Sequence, residues 1–449
     1  MTASGSRMSR RRFLGGTVAG AAAVAAPYVK TSHSAGRLSV GLWDHWVPGA
    51  NEAMEKICLD WGAANNVEIT LDFITSIGNK LLLTAQAESR AETGHDVYSV
   101  PLWMPSIFRD SLEPVDDLVA EIVSRHGPLV GVADYMAKFD GSWRAVPAPT
   151  GSLTLAMVSR LDFYREHAGI DLQTIFPAGE RDPALVATWT YDRFLDAAGK
   201  LHGAGFSFGA PIAPGADSQG WLGQVFNAFG AVLVDAGGEI AVDSDETRAV
   251  LDYLARLTGF MPEAIYAWDD ASNNRWLISG QGSTIINPPS AWAVARRDAP
   301  EVAAQVWHHD VPKGPAGRFR TSVPFFWGMW KFGQNKGAAR ALLVDLNERA
   351  VVETMLRASQ GFDVPLTVSF RDSDVWETAT PPAGVLHNYP VRGDEQVIVA
   401  GYPAPPAIAS QIFTQAIMAD LVARVTADGE AFDDAIGWAG DELAGFMRG

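Results

Sequence analysis

The chain has 449 residues, and its 35 Lys plus Arg stand against 52 Asp plus Glu, a net charge of −17. That balance excludes a protein whose main partner is nucleic acid, because phosphate contacts need a basic face. With 47% hydrophobic residues the chain is a folding one, and its length exceeds what one hydrophobic core usually serves, so two lobes are expected.

Residues 1–35 read apart from the rest. Ser9-Arg-Arg-Arg-Phe-Leu14 leads into small apolar residues, and the uncharged run from Phe13 to Ala26 is 14 residues long. A bilayer span needs about 20. A basic start, a short apolar stretch and small residues beyond it make an export signal. Arg11, Arg12, Phe13 and Leu14 resemble the twin-arginine signal, which hands folded proteins to the twin-arginine export machinery. Cleavage is expected after Ala25, with Ala35 as a later option, because Pro27 disfavours a cut after Ala26. No Cys follows the apolar run, so no lipid anchor is expected. Residues 1–25 hold four Arg and no acid, which takes the net charge from −17 to −21 on removal.

Leu38–Trp43 reads as a short buried strand. Met54, Ile57, Cys58 and Trp61 fall on one face of a helix over 51–61. Cys58, the single cysteine, therefore reads as a small core residue rather than a nucleophile. Val67, Ile69, Leu71 and Phe73 alternate with polar residues, a strand period. A helix over 79–88 and a strand over 96–100 follow. Strand, helix, strand, helix, strand implies a right-handed, mostly parallel sheet, an α/β fold whose ligands sit beyond the strands' carboxyl ends. Those ends are Asp44-His45-Trp46, Thr75 to Asn79, and Pro101-Leu102-Trp103.

Further on, Ser244 reads as the N-cap of a helix carrying Val250, Leu251, Leu254 and Leu257. Ser283–Ile286 reads as a strand stopped by Asn287-Pro-Pro. Asn335 caps a helix carrying Ala339, Leu342, Leu343 and Leu346. The stretch 358–410, rich in Gly, Pro and Asp, reads as loops, and the tail from Ala407 as helix.

The order of these segments resembles the extracellular solute-binding proteins of ABC importers, in the carbohydrate-binding, maltose-binding-protein-like group. The resemblance runs from about Leu38 to Met447. It is carried by Asp96-Val-Tyr98 with Leu112-Glu-Pro-Val-Asp-Asp-Leu118, by Gly141-Ser-Trp-Arg-Ala-Val-Pro147, by Trp189-Thr-Tyr-Asp-Arg-Phe194, by Ile278 to Ile286, and by Val311-Pro-Lys-Gly-Pro315. Two places depart from the family pattern. Val158-Ser159 stands where Tyr-Asn is common, and the Gly-Pro-Trp loop is spread into Asn287-Pro-Pro-Ser-Ala-Trp292.

The resemblance implies a two-lobe periplasmic binding-protein fold with a hinge and a cleft between the lobes. It places the signal and linker at 1–35, one lobe at 36–149 plus 305–346, and the other at 150–304 plus 347–449. The chain would cross near 147–151, 305–311 and 346–351. It implies a monomer that captures a sugar, oligosaccharide or polyol and delivers it to a membrane permease with a separate ATPase subunit. No G-x-x-x-x-G-K-S/T segment is present for ATP hydrolysis by the chain itself. No cofactor and no metal is expected.

Five of the 15 tryptophans fall in loops or strand ends that reach the expected cleft: Trp46, Trp103, Trp221, Trp292 and Trp327. Sugar rings pack their C–H faces on aromatic faces and need polar partners for the hydroxyls. At least two of the five are expected in the cleft, with Trp292 the foremost candidate. Asp44, His45, Thr150, Asp217, Asn287 and Asp363 are the candidate polar partners. The rival binding reading is a receptor for a polyamine or other cationic solute. The rival from chemistry is a secreted hydrolase built on Gly205-Phe-Ser207-Phe-Gly209, which matches G-x-S-x-G. Pro211 and Pro214 stop the helix that a nucleophile elbow needs after it. His308-His309-Asp310 offers metal-ligand types, but neighbours on a strand face opposite ways. His45 and His95, each beside an Asp, read as surface or capping residues.

Overall fold

In a computed structural model of the chain, which describes residues 36–177, 179–375 and 393–448, the first strand runs Gly36–Trp43. It pairs in parallel with Val67–Ile74 on one side and Val97–Ser99 on the other. The expected export signal with Arg11, Arg12, Phe13 and Leu14 lies outside the described residues. Phe326–Met329 joins this sheet antiparallel to Val97–Ser99, and Val146–Pro147 completes it.

The helix Pro48–Asn65 starts with proline in its first turn, where the missing N–H costs nothing, and stops at Asn66 in the left-handed region. It buries Met54 and Cys58. Burial pushes the Cys58 thiol up to about 12, so it stays protonated and inert. Ser244 Oγ accepts the Thr247 N–H at the start of Asp245–Thr258, and Asn335 Oδ1 accepts the Ala338 N–H at the start of Lys336–Asp345.

A second sheet has the order Val306–His309, Ala156–Arg160, Gly282–Asn287, Ser207–Gly209. A third, of three strands, joins Gln396–Ile398, Phe319–Val323 and Leu153–Thr154. The chain thus passes from the first sheet to the second between Pro147 and Ala156.

The other two boundaries differ from expectation. Val306–His309 pairs antiparallel with Ala156–Arg160, so it is a strand of the second sheet. The return to the first sheet falls between Val323 and Phe326 rather than at 305–311. Nor does the chain leave the first lobe near 346. Helix Arg349–Ala358 buries Val352, Met355 and Leu356 and packs on Pro48–Asn65. Thr367 then bridges Leu129. The stretch read as loops over 358–410 contains strand Gln396–Ile398 and the start of helix Pro406–Thr414. That helix begins one residue before Ala407, the expected start of the helical tail, and Pro406 opens it in the one turn where proline fits.

Among the described residues no single helix is long and apolar enough to cross a membrane. His45 and His95, read as surface or capping residues, are buried and half-buried, and His45 does cap: its Nδ1 accepts the Val47 N–H at 2.8 Å just before helix Pro48–Asn65. His309 Nε2 lies 2.9 Å from Ser159 Oγ, and burial pushes its imidazole down to about 3. Asp310 beside it pairs with Arg181 at 2.9 Å and with Arg320 at 3.4 Å, and Arg320 also meets Glu395 at 2.5 Å.

His95 bridges two carboxylates, with Nδ1 2.6 Å from Glu88 Oε1 and Nε2 2.9 Å from Asp72 Oδ2. Burial works against its charge, but the two acids prevail and raise its pKa above the ordinary histidine value. A raised pKa means stability that is fully present below the unfolded value near 6.5 and lost as pH rises through the folded one. His95→Gln is therefore expected to cost about 1–2 kcal/mol at pH 5 and markedly less at pH 9. Urea midpoints at both pH values check this, and a cost that does not shrink with pH would refute it.

Candidate functional site

The three parallel strands of the first sheet end on one side, and their carboxyl-terminal loops form one wall of a cleft of about 610 Å³. That wall carries Trp43, Trp46, Ser76, Pro101 and Leu102. The facing wall comes from the second lobe. Asp217 stands in the first turn of helix Ala216–Phe229, Asn274 on helix Ser272–Ile278, and Asn287 at the carboxyl end of strand Gly282–Asn287. Asp270 lies between them in the preceding loop.

The polar wall is organised by its own hydrogen bonds. Asn273 Nδ2 donates to Asp217 Oδ2 at 2.8 Å. Asn287 Nδ2 donates to Asn274 Oδ1 at 2.5 Å. The Asp270 carboxylate accepts the Asp217 backbone N–H at the helix N-terminus, where the helix dipole favours negative charge. Burial, then the charge of Asp270, raises the Asp217 pKa well above the ordinary aspartate value, and burial raises Asp270 as well. Two carboxylates this close do not both ionise freely. Among the described residues no Lys, Arg or His lines this cleft.

Trp46 is the half-buried indole of the first wall and also borders the next hollow, beside Val47, Pro48 and Arg296. Trp43 presents less of itself. Its Nε1 donates to Ser76 Oγ at 3.3 Å, and its ring lies 4.8 Å from both His45 and Phe325.

Of the five tryptophans singled out from sequence, Trp46 alone lines this cleft, against the two or more expected. Trp103 and Trp221 are buried, with indole N–H groups donating to Ala400 O at 2.9 Å and Pro211 O at 2.6 Å. Trp327 is a buried strand residue that borders a narrower hollow behind Trp43. Trp292 is 3% exposed on helix Ser290–Asp298, with the Arg296 guanidinium 5.2 Å from its ring. It borders none of the cavities described here. The inserted Pro-Ser-Ala starts a helix that turns the indole inward.

The polar candidates divide in the same way. Asp217 and Asn287 are in the cleft. His45, Thr150 and Asp363 form a separate cluster: His45 Nε2 lies 3.3 Å from Asp363 Oδ1, Thr150 Oγ1 donates to Asp363 Oδ2 at 2.9 Å, and the Gly151 N–H donates to Oδ1. His45 and Asp363 are buried, and the cluster braces the segment between Pro147 and Leu153 on which the chain first crosses between lobes. Gly151 has φ +97° and a Cβ there would strike Phe325 at 2.6 Å, so only glycine fits. Asp44 is exposed and accepts from Asn51 Nδ2 at 2.7 Å. Trp43, Ser76, Asp270 and Asn274 were not singled out. Ser76 lay within a named strand end, while the other three look like ordinary core or loop residues until the lobes face each other.

Ser207 begins strand Ser207–Gly209, which runs parallel to Gly282–Asn287. The cleft lies at the carboxyl end of that pair, so Ser207 sits at the opposite end. His202 Nδ1 is 3.0 Å from its hydroxyl, but there is no strand-to-helix elbow at Ser207. Among the described residues no group of three or more His, Cys, Asp or Glu is placed to hold a metal.

Solved structures of similar fold cover nearly the whole chain. Maltose-bound MalE3 of T. maritima matches with a TM-score of 0.72 at 19% identity, over 92% of this chain and 100% of that one. A sugar transporter from Arthrobacter chlorophenolicus A6 with bound laminaribiose gives 0.69 at 15%, over 91% and 98%. A solute-binding protein from Agrobacterium radiobacter K84 in complex with ribitol gives 0.68 at 15%, over 91% and 98%. At such identities the likeness establishes the two-lobe α/β fold. A comparison with curated protein sequences gives no match. The family profile described as bacterial extracellular solute-binding protein matches residues 56–381. The match spans more than half of the chain, and the chain belongs to the bacterial extracellular solute-binding proteins, which capture solutes and do not transform them.

Proposed function

We propose that the chain is the periplasmic receptor of an ABC importer and captures a sugar, oligosaccharide or polyol by closing its lobes. One observation carries the reading: a half-buried indole, Trp46, on one wall faces amides and carboxylates, Asn274, Asn287, Asp217 and Asp270, on the other. An apolar ring face is met by the indole and the hydroxyls by the polar wall. The similar structures that hold maltose, laminaribiose and ribitol support the ligand class. One lobe comprises 36–149 and 326–372, the other 153–323 and 393–448. A ligand bridging them favours the closed form by its contacts to both. The closed receptor then meets a permease whose ATPase is a separate subunit.

Thermal-shift measurement against sugars, polyols and polyamines tests this. At a hundredfold excess over Kd, a ligand that binds only the folded state adds about 2.7 kcal/mol. A true ligand is also expected to lower the radius of gyration in small-angle scattering. A shift with polyamines alone would replace this reading by the second one, a cationic-solute receptor, which the two carboxylates and the absence of a cation among the described lining residues favour.

Export is assigned to the twin-arginine route, ahead of a soluble, unanchored monomer. Arg11→Lys with Arg12→Lys is expected to leave precursor in the cytoplasm, since lysine lacks the guanidinium geometry. Normal export of that variant in cell fractionation would exclude the route.

A further inference from the structure

The cleft continues into a second compartment of about 850 Å³, with Ser76, Leu81, Pro101, Leu102, Ala216 and Asp270 bordering both. Its chemistry differs. Leu82, Met104, Ile107 and Phe413 face it, and among the described residues no Trp or Tyr does. Of its four polar side chains among the described residues, that of Asn79 makes no hydrogen bond and the other three are engaged. Ser76 Oγ accepts the Trp43 indole N–H, Asp270 accepts the Asp217 N–H, and Thr414 Oγ1 donates to Ser410 O at 2.7 Å. The Asn79 amide can meet one hydroxyl, and a sugar ring placed here would bury its others without partners, which costs more than the apolar contact returns.

The backbone around the compartment is held in an unusual state. Among the described residues seven non-glycine ones have positive φ, and three of them, Asn79 at 58°, Leu102 at 52° and Ala416 at 54°, border it. Asparagine tolerates this region, but leucine does not adopt it without support. The Leu102 N–H donates to Pro324 O at 2.9 Å, which holds the strained turn and sets the leucine side chain at the junction of the two compartments. Strain kept by its surroundings concentrates at ligand sites.

We propose that this compartment receives an apolar group carried on the sugar, so that the ligand is a glycoside with an alkyl or aryl aglycone. The proposal rests on the carbohydrate reading above and adds the ligand's second half. The sugar lies against Trp46 and the amide wall, and the aglycone against Leu102, Ile107 and Phe413.

Calorimetry with the methyl, hexyl and phenyl glycosides of glucose, galactose and mannose, and with maltose and laminaribiose, tests it. Hexyl or phenyl is expected to bind at least tenfold tighter than methyl on the same sugar. Ile107→Asn is expected to erase that ratio and leave the methyl affinity within about twofold. Leu102→Gly lowers the ratio too, and it folds because glycine adopts the backbone angle freely. Equal affinity for methyl, hexyl and phenyl glycosides overturns the aglycone compartment and leaves the sugar receptor standing. A disaccharide bound tighter than every hexyl or phenyl glycoside, and weakened by Ile107→Asn, also overturns it, because a second ring then fills the space. If no sugar or glycoside binds and spermidine does, both the compartment and the carbohydrate reading fall.

Discussion

Trp46→Ala is expected to weaken ligand binding ten- to a hundredfold while the ligand-free protein keeps nearly its original melting midpoint. The indole is half-buried in the loop after the first strand and borders open space on two sides. Its removal therefore opens no core cavity. What is lost is the apolar area a ring face covers, at roughly 25 cal/mol per Å², together with the flat surface itself, a total of about 1.5–3 kcal/mol. Each 1.4 kcal/mol is about tenfold in Kd. Trp46→Phe keeps a flat face and is expected to lose less than tenfold. Trp292→Ala is the matched control. Its indole is buried, so its removal leaves a cavity and is expected to cost about 3–5 kcal/mol of stability, with affinity in the folded protein changed only a few-fold. Calorimetry and melting curves on both variants separate the two roles. Unchanged affinity in Trp46→Ala would remove it from the site, and a binding loss in well-folded Trp292→Ala would reinstate the other tryptophan.

The contrast between these two indoles shows which part of the site was legible. Period-two and period-3.6 patterns locate the first three strands, and the rule for parallel sheets then places Trp46, Ser76 and Leu102 at a ligand-bearing edge. That inference needs only local pattern and topology. Whether an indole points into the cleft or under it depends on the turn that carries it. Pro288, Pro289 and Ser290 begin a helix that rotates Trp292 inward, and no spacing rule reports the rotation. His45 and Asp363 are 318 positions apart and meet only when the chain recrosses, so each alone reads as a polar candidate. The misplaced boundaries have the same origin. Helix Arg349–Ala358 has an apolar face of the usual period, and nothing in that face says which lobe it will cover. Asp270 escaped notice because its role comes from the Asp217 N–H across a loop, not from its own neighbours.

The largest stability effect is expected from the buried charges behind the second sheet. Arg320, Asp310 and Glu395 are each fully buried. Arg320 Nη2 lies 2.5 Å from Glu395 Oε2 and 3.4 Å from Asp310 Oδ1. Arg181 holds Asp310 from the other side at 2.9 Å, and the Val311 N–H donates to Glu395 Oε1 at 3.0 Å. Burial and the charge of Asp310 push Glu395 up, Arg320 and Arg318 pull it down, and it settles at about 7. Neighbouring His309 is neutral at every pH of interest. Arg320→Met leaves Glu395 beside Asp310 without the cation that pairs it, and a loss of about 3–5 kcal/mol at pH 8 is expected. Arg320→Met with Glu395→Leu removes the orphan and leaves Asp310 with Arg181, so about 2 kcal/mol or more should return. The sign with pH follows from Glu395. A carboxyl whose folded pKa exceeds its unfolded value near 4.3 holds its proton better when folded, so its contribution is fully present below that value and fades as pH rises through the folded one. The deficit of Arg320→Met is therefore expected to shrink at pH 5, where Glu395 takes up a proton and stops repelling Asp310. Urea midpoints of the single and double variants at pH 5 and 8 decide the matter. A double variant no more stable than the single one, or a deficit as large at pH 5 as at pH 8, would mean that the arginine serves by packing its chain rather than by pairing these acids.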